Sequence, residues 1–285
     1  FITGLGVGGE WATGQIYISE TFPDNLRAKY GAFMQNGAPV GVILASIVGG
    51  LVTPIIGWRY TFLVSIIPAI MVIFIRKYLK ESDVWINNKD QYVNKNIIQE
   101  FKELISIEHR KIFLISLILC IFGMSAYWFT YSWLPTYLAD ERGFALIGSA
   151  IGVIIIQLGA FVGYTSFGYV AERLGRRPAF AIYSFIMAIS IAMITVCWNL
   201  IVAIPDLLNI FMFLTGLGTG FFGGFGPLFS ELFPTKIRNT GVGTVFNLAR
   251  GIQFLTPIII TLVATYFDLS YGIAIAAIFA FLVDE

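Results

Sequence analysis

Long apolar runs separated by short polar breaks dominate the chain. Nine runs have, or approach, the roughly 20 residues that an α-helix needs to cross a bilayer. They occupy residues 1–19, 30–53, 60–75, 112–138, 149–170, 179–198, 207–229, 241–267 and 271–283. The period-2 alternation of strands is absent, and lipid offers no partner to an unpaired backbone group. The pattern therefore predicts an all-α polytopic membrane helix bundle.

The composition supports a membrane protein. The chain is 57% hydrophobic and only 12% charged, with a mean hydropathy of +0.81. A soluble domain of 285 residues cannot bury so much apolar surface. Cys120 and Cys197 both fall within apolar runs, so we expect small packing residues rather than a disulfide.

Two segments about 211 residues apart repeat one order of residues. In each, a Gly-rich apolar run (4–8 and 216–220) is followed by an acidic residue, a Phe-Pro break and a basic residue. A duplicated bundle is typical of secondary transporters, whose two halves move around a central site. In the second half of the chain, three runs lie between Lys111 and Gly216, whereas only three residues precede Gly4 in the first copy. We therefore expect on the order of 100 further residues, or three helices, upstream, and a parent of twelve helices in two sixes.

Basic residues concentrate on one side when the polar breaks alternate between the two faces of the membrane. With 23–29 taken as cytosolic, fifteen Lys and Arg residues fall on that side; Arg59 and Arg142 fall opposite, and Arg250 lies inside a helix. This asymmetry follows the positive-inside rule. It predicts a multi-pass cell-membrane protein with 23–29, 80–110, 172–177 and 232–238 in the cytosol.

The repeat and the polar breaks divide the chain into three parts. Residues 1–78 form a partial first bundle, 79–110 a cytosolic linker and 111–285 a six-helix bundle. Within the linker, apolar residues recur at helical spacing; they are Ile97, Ile98, Phe101, Leu104 and Ile105. The stripe predicts a short amphipathic helix that either lies on the inner leaflet or packs beneath the bundle. His109, at the linker's end, is expected to be solvated rather than a proton relay.

Glycine pairs four residues apart, such as Gly159/Gly163, Gly216/Gly220 and Gly37/Gly41, predict close helix crossings.

Several motifs resemble those of the major facilitator superfamily. Residues 168–177, Gly-Tyr-Val-Ala-Glu-Arg-Leu-Gly-Arg-Arg, fit its loop motif G-x-x-x-[DE]-R-x-G-[RK]-[RK]. The paired Glu-x-Phe-Pro-x-x-x-Arg segments are similar to those after the fourth and tenth helices in its sugar-porter-like and metabolite–proton symporter branches. Gly8-Gly-Glu-Trp11 and residues 133–138, Trp-Leu-Pro-Thr-Tyr-Leu, resemble the organic-acid symporters, including the sialate/monocarboxylate group. The resemblance covers the whole chain and implies helices four to twelve of the major facilitator fold.

The resemblance also implies a charged gate on the cytosolic side, which in the family latches the outward-open state. A carboxylate in a tight interhelical turn can accept hydrogen bonds from an Arg guanidinium and from the backbone N–H groups at a helix N-terminus. We expect Glu172 to lie near Arg27 and the helix start at position 28. The candidate gate residues are Glu20, Arg27, Gly168, Glu172, Arg173, Gly175, Arg176, Arg177, Glu231 and Arg238. The alternative is that these charges only anchor topology.

Glu10 and Arg250 are the two charges that lie well inside apolar runs. A central charge costs roughly 2.5–3.5 kcal/mol on insertion scales, so it usually faces a cavity or a partner. We predict that Glu10 takes up and releases a proton, and that Arg250 attracts the carboxylate of a substrate. Thr13 and Tyr17 are predicted to extend the Glu10 face, and Asn247 the Arg250 face. The alternative is that Glu10 is a capped structural charge and that Arg250 snorkels.

Aromatic residues of the seventh family helix supply further candidates. Because this helix lines the cavity in the family, the resemblance implies substrate contacts by Tyr127, Trp128 and Tyr131. The alternative is an interfacial aromatic belt. Asn36 and Asn247 lie at matching depth in the two halves, and interhelical hydrogen bonding explains that pair most simply.

Together these features predict a proton-coupled symporter of a small organic anion, a carboxylate or acid sugar, that works by alternating access. The alternatives are a sugar-porter-like transporter of neutral solutes and a transporter-like sensor. The first is disfavoured by Lys80-Glu-Ser-Asp83, where sugar porters carry Pro-Glu-Ser. The sequence has no catalytic set and no metal-ligand cluster, so an enzyme is not expected. We expect no cofactor beyond the coupling proton, no nucleic-acid partner and a monomer in the bilayer.

Overall fold

The computed structural model of the protein describes residues 2–83, 86–87, 97–144, 146–234 and 236–283. Within these residues the structure is helical and contains no strand. The principal helices are α1 (Ile2–Thr21), α2 (Asp24–Met34, Gly37–Ile47, the π turn Val48–Val52 and Thr53–Ile56), α3 (Trp58–Val64 and Ile66–Tyr78), the linker helix (Ile97–Leu104), α4 (Arg110–Tyr131, Leu134–Thr136 and the π turn Tyr137–Glu141), α5 (Leu146–Leu174), α6 (Arg176–Thr195), α7 (Asp206–Gly218, the 3-10 turn Thr219–Phe221 and Phe222–Leu232), α8 (Arg238–Ile252 and Leu255–Tyr266) and α9 (Leu269–Leu282).

Seven described helical stretches are long and apolar enough to cross a membrane, as judged by length and composition. They correspond to α2 through α8. The predicted all-α membrane bundle is therefore confirmed. The last helix, α9, is apolar but has only 14 residues. The first, α1, has 20 residues but does not reach the hydropathy that defines the other seven.

The predicted close crossing of glycine-containing helices is present between α5 and α7. A Cβ atom added to Gly159 would collide with the carbonyl oxygen of Phe213, and one added to Gly216 with that of Ile156. Because these glycines have no side chain, the two backbones approach closely enough to pack without a hydrophobic drive from lipid. The prediction is wrong for Gly37 and Gly41 within the described part of the chain, where no atom lies within 4 Å of such a Cβ.

We call α1–α3 the first half and α4–α9 the second half. The core of the second half is built from aromatic side chains of α7 and its neighbours. Phe221, Phe225 and Phe229 are fully or almost fully buried, and Phe225 stacks on Phe229 with ring centroids 5.4 Å apart. In contrast, the apolar side chains of α3 are exposed. Lipid tails are as apolar as leucine, so such exposure is compatible with a bilayer.

Two side-chain amides join the halves. Asn36 on α2 donates to the Thr165 hydroxyl of α5 at 2.9 Å, and Asn247 on α8 donates to the Gly8 carbonyl of α1 at 2.8 Å. Both bonds run between helices of different halves, as the interhelical interpretation of these two residues predicts.

The four segments predicted to be cytosolic lie at one end of the bundle. The Arg176 guanidinium pairs with the Glu231 carboxylate, and the Lys236 ammonium lies 2.8 Å from the Glu103 carboxylate. The Lys29 ammonium lies 4.8 Å from the ring centroid of Tyr169, one turn before the 172–177 segment. Their common end agrees with the charge asymmetry; its position in the cytosol stays a prediction.

The linker helix packs against the bundle through the apolar Leu104 and through two acidic residues that contact the start of α8. Leu104 is fully buried, Glu103 contacts Lys236, and Glu100 accepts a hydrogen bond from Thr240. The apolar Phe101 is exposed, as are Ile98 and Ile105. Of the two alternatives from the sequence, this contact corresponds to packing beneath the bundle. The expectation for His109 is wrong: at the start of α4 it is only 9% exposed.

Candidate functional site

A cavity of about 530 Å³ lies between the two halves. Helices α1 and α2 form one wall, and α4, α5, α7 and α8 form the rest. Its main lining side chains are Glu10, Trp11, Met34, Gln35, Met124, Tyr127, Trp128, Tyr164, Phe222, Phe246 and Arg250. We call it the central cavity. It is large enough for a small metabolite, and its wall is mostly apolar, with six aromatic side chains and a few polar groups, as is usual for ligand sites.

The central cavity brings together the two charges that the sequence places inside the membrane. Glu10 from α1 and Arg250 from α8 are the acid and the base among its described lining residues. Glu10 is exposed and Arg250 half-buried. Neither forms an ion pair with another described side chain. Both charged groups therefore remain accessible to whatever fills the cavity.

Trp11 joins the two halves across the wall of the central cavity. Its ring stacks on that of Phe246, with centroids 3.5 Å apart and an interplanar angle of 11°. Its indole Nε1 donates to the Gln35 amide oxygen at 2.8 Å. The sequence patterns described above do not identify Trp11 or Gln35 as site residues. The available signal was the position of Trp11 in the Gly-Gly-Glu-Trp motif, directly after Glu10.

The aromatic residues of α4 divide between two cavities. Tyr127 and Trp128 line the central cavity, whereas Tyr131 lines an adjoining cavity of about 320 Å³ that shares Tyr127 and Trp128 as a wall. Tyr127 stacks on Tyr131 with centroids 4.2 Å apart and meets Phe222 edge-on at 5.6 Å. The rings are thus mutually packed between the two cavities. Tyr164, which no sequence motif identifies, contributes to the central cavity from α5.

Thr13 and Tyr17 do not extend the Glu10 face into the central cavity. The Thr13 hydroxyl donates to the Gly9 carbonyl at 2.8 Å, and the Tyr17 hydroxyl donates to the Lys80 carbonyl at 3.1 Å. A helix turns about 100° per residue. Glu10, Trp11 and Gly14 define the lining face, so position 13 points well away from it. Position 17 lies nearer that face but farther along the helix.

Asn247 occupies the contact between α1 and α8 rather than the wall of the central cavity. Its amide donates to the Gly8 and Gly243 carbonyls at 2.8 and 2.9 Å. Both amide hydrogens are therefore used within the protein, and Asn247 supports the position of α8 and of Arg250.

The predicted gate motif forms the turn between α5 and α6. Gly175 adopts φ of +92°, a conformation that glycine accepts without strain, and this permits the reversal. Gly168 is buried, whereas Glu172, Arg173 and Arg177 are exposed. Arg176 pairs with Glu231 of the same half. On the other half, Glu20 accepts a hydrogen bond from Ser82, and Arg27 lines a small cavity together with Glu231 and Arg238.

Known protein families and individual transporters match most of this chain in sequence. The profile described as Major Facilitator Superfamily matches residues 1–167, and the profile described as Sugar (and other) transporter matches residues 86–283. The sialic acid transporter NanX of Escherichia coli is 31% identical, over 98% of this chain and 67% of its own length. The cis,cis-muconate transport protein of Acinetobacter baylyi is 26% identical, over 96% of this chain and 67% of its own length.

The fold has a counterpart among solved structures. The proton:xylose symporter XylE, bound to 6-bromo-6-deoxy-D-glucose, superposes with a TM-score of 0.69 at 17% identity. The match covers 95% of this chain and 65% of that one. The chain thus spans about two thirds of the length of the proteins it matches. The chain forms two helical halves around a cavity and carries the loop motif at Gly175, and family profiles cover its length. The protein therefore belongs to the major facilitator superfamily of membrane transporters and is not an enzyme.

Proposed function

We propose that the protein is a proton-coupled symporter of small organic anions, with the central cavity as its substrate site. The observation that carries this proposal is that Glu10 and Arg250, from opposite halves, both line one cavity of about 530 Å³. Arg250 presents a planar fork of donors that suits a carboxylate. Glu10 supplies the protonatable group that a proton-coupled cycle requires.

The shape and chemistry of the wall support a carboxylate with a flat or apolar body. Trp11, Trp128 and Phe246 line the same cavity as Glu10 and Arg250 and present ring surface to it. A ligand anchored to Arg250 by its carboxylate would stack its remaining atoms on these rings. The names of two relatives, a sialic acid transporter and a cis,cis-muconate transport protein, denote acids as substrates.

The coupling step follows from the charges. A bound anion neutralises Arg250 and brings negative charge near Glu10. Protonation of Glu10 then removes the repulsion between the two carboxylates. Loading of both proton and anion would therefore leave the cavity close to neutral, which lowers the penalty for moving its walls through the membrane.

The neutral-solute alternative has one observation in its favour, the match of residues 86–283 to the sugar transporter profile. Uptake measurements in proteoliposomes distinguish the carboxylate symporter from the neutral-solute transporter. The full-length protein is supplied with labelled carboxylates and sugars, with and without an imposed inward proton gradient. We expect the gradient to drive accumulation of carboxylates. Accumulation of sugars alone would favour the alternative, and gradient-independent uptake would remove proton coupling from the proposal.

A further inference from the structure

The cavity of about 320 Å³ beside the central cavity differs from it in charge. Tyr127 and Trp128 line both cavities. Val42 on α2 of the first half contributes to its wall, together with residues of α4 and α5. We call it the adjoining cavity. From its position and chemistry we infer that it takes the uncharged end of the substrate, so that the protein selects monocarboxylates with a neutral, largely apolar tail over dicarboxylates.

This inference rests on the proposed function, in which Arg250 holds the carboxylate of the substrate. Tyr127 connects that anchor to the adjoining cavity, because its hydroxyl interacts both with the charge of Arg250 and with the Gln157 side chain. Arg250 lines the central cavity, and Gln157 lines the adjoining one. A ligand held at Arg250 therefore reaches the adjoining cavity along the rings of Tyr127 and Trp128.

The helices that line the adjoining cavity carry no charged residue over long stretches. No Asp, Glu, Lys or Arg occurs within residues 30–58, 112–139 or 143–171. Every described lining residue of the adjoining cavity falls inside these ranges. A carboxylate placed there would lose its water without gaining a counter-charge, which is strongly unfavourable. The central cavity, in contrast, contains both Glu10 and Arg250.

The wall of the adjoining cavity suits an apolar tail that may end in a neutral polar group. Leu134 and Ile156 line it and are each 2% exposed, so this part of the wall belongs to the packed core. Gln157, which is 3% exposed, adds an amide to the wall. An apolar tail gains affinity with each methylene group that it removes from water. An amide can form hydrogen bonds with a hydroxyl or carbonyl group on such a tail.

The two cavities thus divide the recognition of one substrate. The central cavity selects for a carboxylate, and the adjoining cavity selects for a neutral remainder. A second carboxylate would also add an uncompensated charge to the loaded state, which the proposed coupling with Glu10 keeps close to neutral. Such a charge raises the penalty for moving the cavity walls through the membrane.

Binding of hexanoate and adipate to the full-length protein tests the inference, because the two acids have the same carbon chain and differ in one terminal carboxylate. Calorimetric titration at constant pH and ionic strength measures the Kd, with propionate as the acid that lacks a tail. Nanodiscs of neutral lipid are used, since detergent could itself occupy an apolar cavity. We expect hexanoate to bind about tenfold or more tightly than propionate. Adipate should bind about tenfold or more weakly than hexanoate.

Substitutions in the adjoining cavity assign the effect to it. V153F fills the cavity and should reduce the ratio of the propionate Kd to the hexanoate Kd to about twofold or less. V72F places the same ring at an exposed position of α3 and is the matched control, which should keep the wild-type ratio. If V153F does not fold, V42F narrows the same cavity from the first half.

The amide of Gln157 has a test of its own. Q157L removes the amide at nearly constant size. It should weaken the binding of 6-hydroxyhexanoate about threefold or more, through loss of a hydrogen bond to the terminal hydroxyl, while the Kd of hexanoate changes little.

The outcomes separate this inference from the proposed function. Adipate binding as tight as that of hexanoate, or a propionate-to-hexanoate ratio that V153F and V42F both leave unchanged, overturns the role of the adjoining cavity. If R250A still weakens the binding of all the acids in that case, the carboxylate anchor and the proposed symport remain supported. Absence of any carboxylate binding by the wild type contradicts the proposed function, and this inference fails with it.

Discussion

The ring of Trp11 lies on the ring of Phe246, with their centroids 3.5 Å apart and their planes nearly parallel, and this contact joins α1 of one half to α8 of the other. Glu10 precedes Trp11, and Arg250 follows Phe246 by about one helical turn. The stack therefore fixes the relative position of the two charges in the central cavity. A change at Trp11 is expected to alter both the stability of the interface and the affinity for substrate.

Substitution of Trp11 separates its two contacts. W11F keeps a ring on Phe246 but removes the hydrogen bond to Gln35, and it should lower the unfolding free energy by about 1 kcal/mol. W11A removes both contacts and should lower it by about 3 kcal/mol. Thermal and chemical unfolding in detergent measure both. Equal destabilisation by the two variants would show that the stack contributes little.

E10Q removes the proposed proton carrier while keeping the size of the side chain. We expect accumulation driven by a pH gradient to fall to the level seen without a gradient, whereas counterflow exchange continues. E108Q, a substitution of an exposed glutamate in the linker, serves as the control and should retain gradient-driven uptake. Intact gradient-driven accumulation by E10Q would assign the coupling role to another group.

R250A tests the role of charge in substrate recognition. Loss of a charge-assisted pair should raise the Km for a carboxylate substrate about tenfold or more, with little effect on any neutral compound that the protein carries. R250K keeps the charge but loses the fork, so it should lie between wild type and R250A. Equal losses for anionic and neutral compounds would instead indicate that Arg250 supports the scaffold.

G216A tests the close crossing of α5 and α7. A Cβ at this position collides with the Ile156 carbonyl oxygen, so the helices must separate, and we expect about 1–3 kcal/mol of destabilisation. G41A is the matched control, because nothing lies within 4 Å of a Cβ there. An alanine in the helix at this position should be neutral or stabilise by up to about 1 kcal/mol. G216A should therefore lower the melting temperature, whereas G41A should leave it unchanged or raise it.

The linker helix offers a comparison of apolar burial with a surface ion pair. Leu104 is fully buried, so L104A should destabilise the protein by about 2 kcal/mol or more. The Lys236–Glu103 pair is largely exposed, and K236A should change stability by less than about 1 kcal/mol. A larger effect of K236A, measured by thermal unfolding at low and high salt, would show that charge rather than Leu104 holds the linker helix.

Several features of the fold could be predicted from the sequence because each depends on local or solvent physics. The bilayer requires apolar helices of a set length, so the spans α2 through α8 follow from hydropathy. The gathering of the basic segments at one end follows from the asymmetry of their charges. The tight turn between α5 and α6 could be predicted from Gly175, because such a turn requires a backbone conformation that other residues rarely adopt.

Other features were decided by tertiary packing, which the sequence does not specify position by position. The rotation of α1 about its axis, set by its contacts with α2 and α8, turns Glu10 and Trp11 toward the central cavity and Thr13 away from it. Glu100 and Glu103 of the linker helix contact Thr240 and Lys236, and of its apolar stripe Leu104 is buried whereas Ile98, Phe101 and Ile105 are exposed. Arg27 and Arg238 share one cavity only because two distant turns fold side by side. Hydropathy and charge thus determined which segments become helices and which end they share, whereas the choice of side chains that face one another required the packed arrangement of both halves.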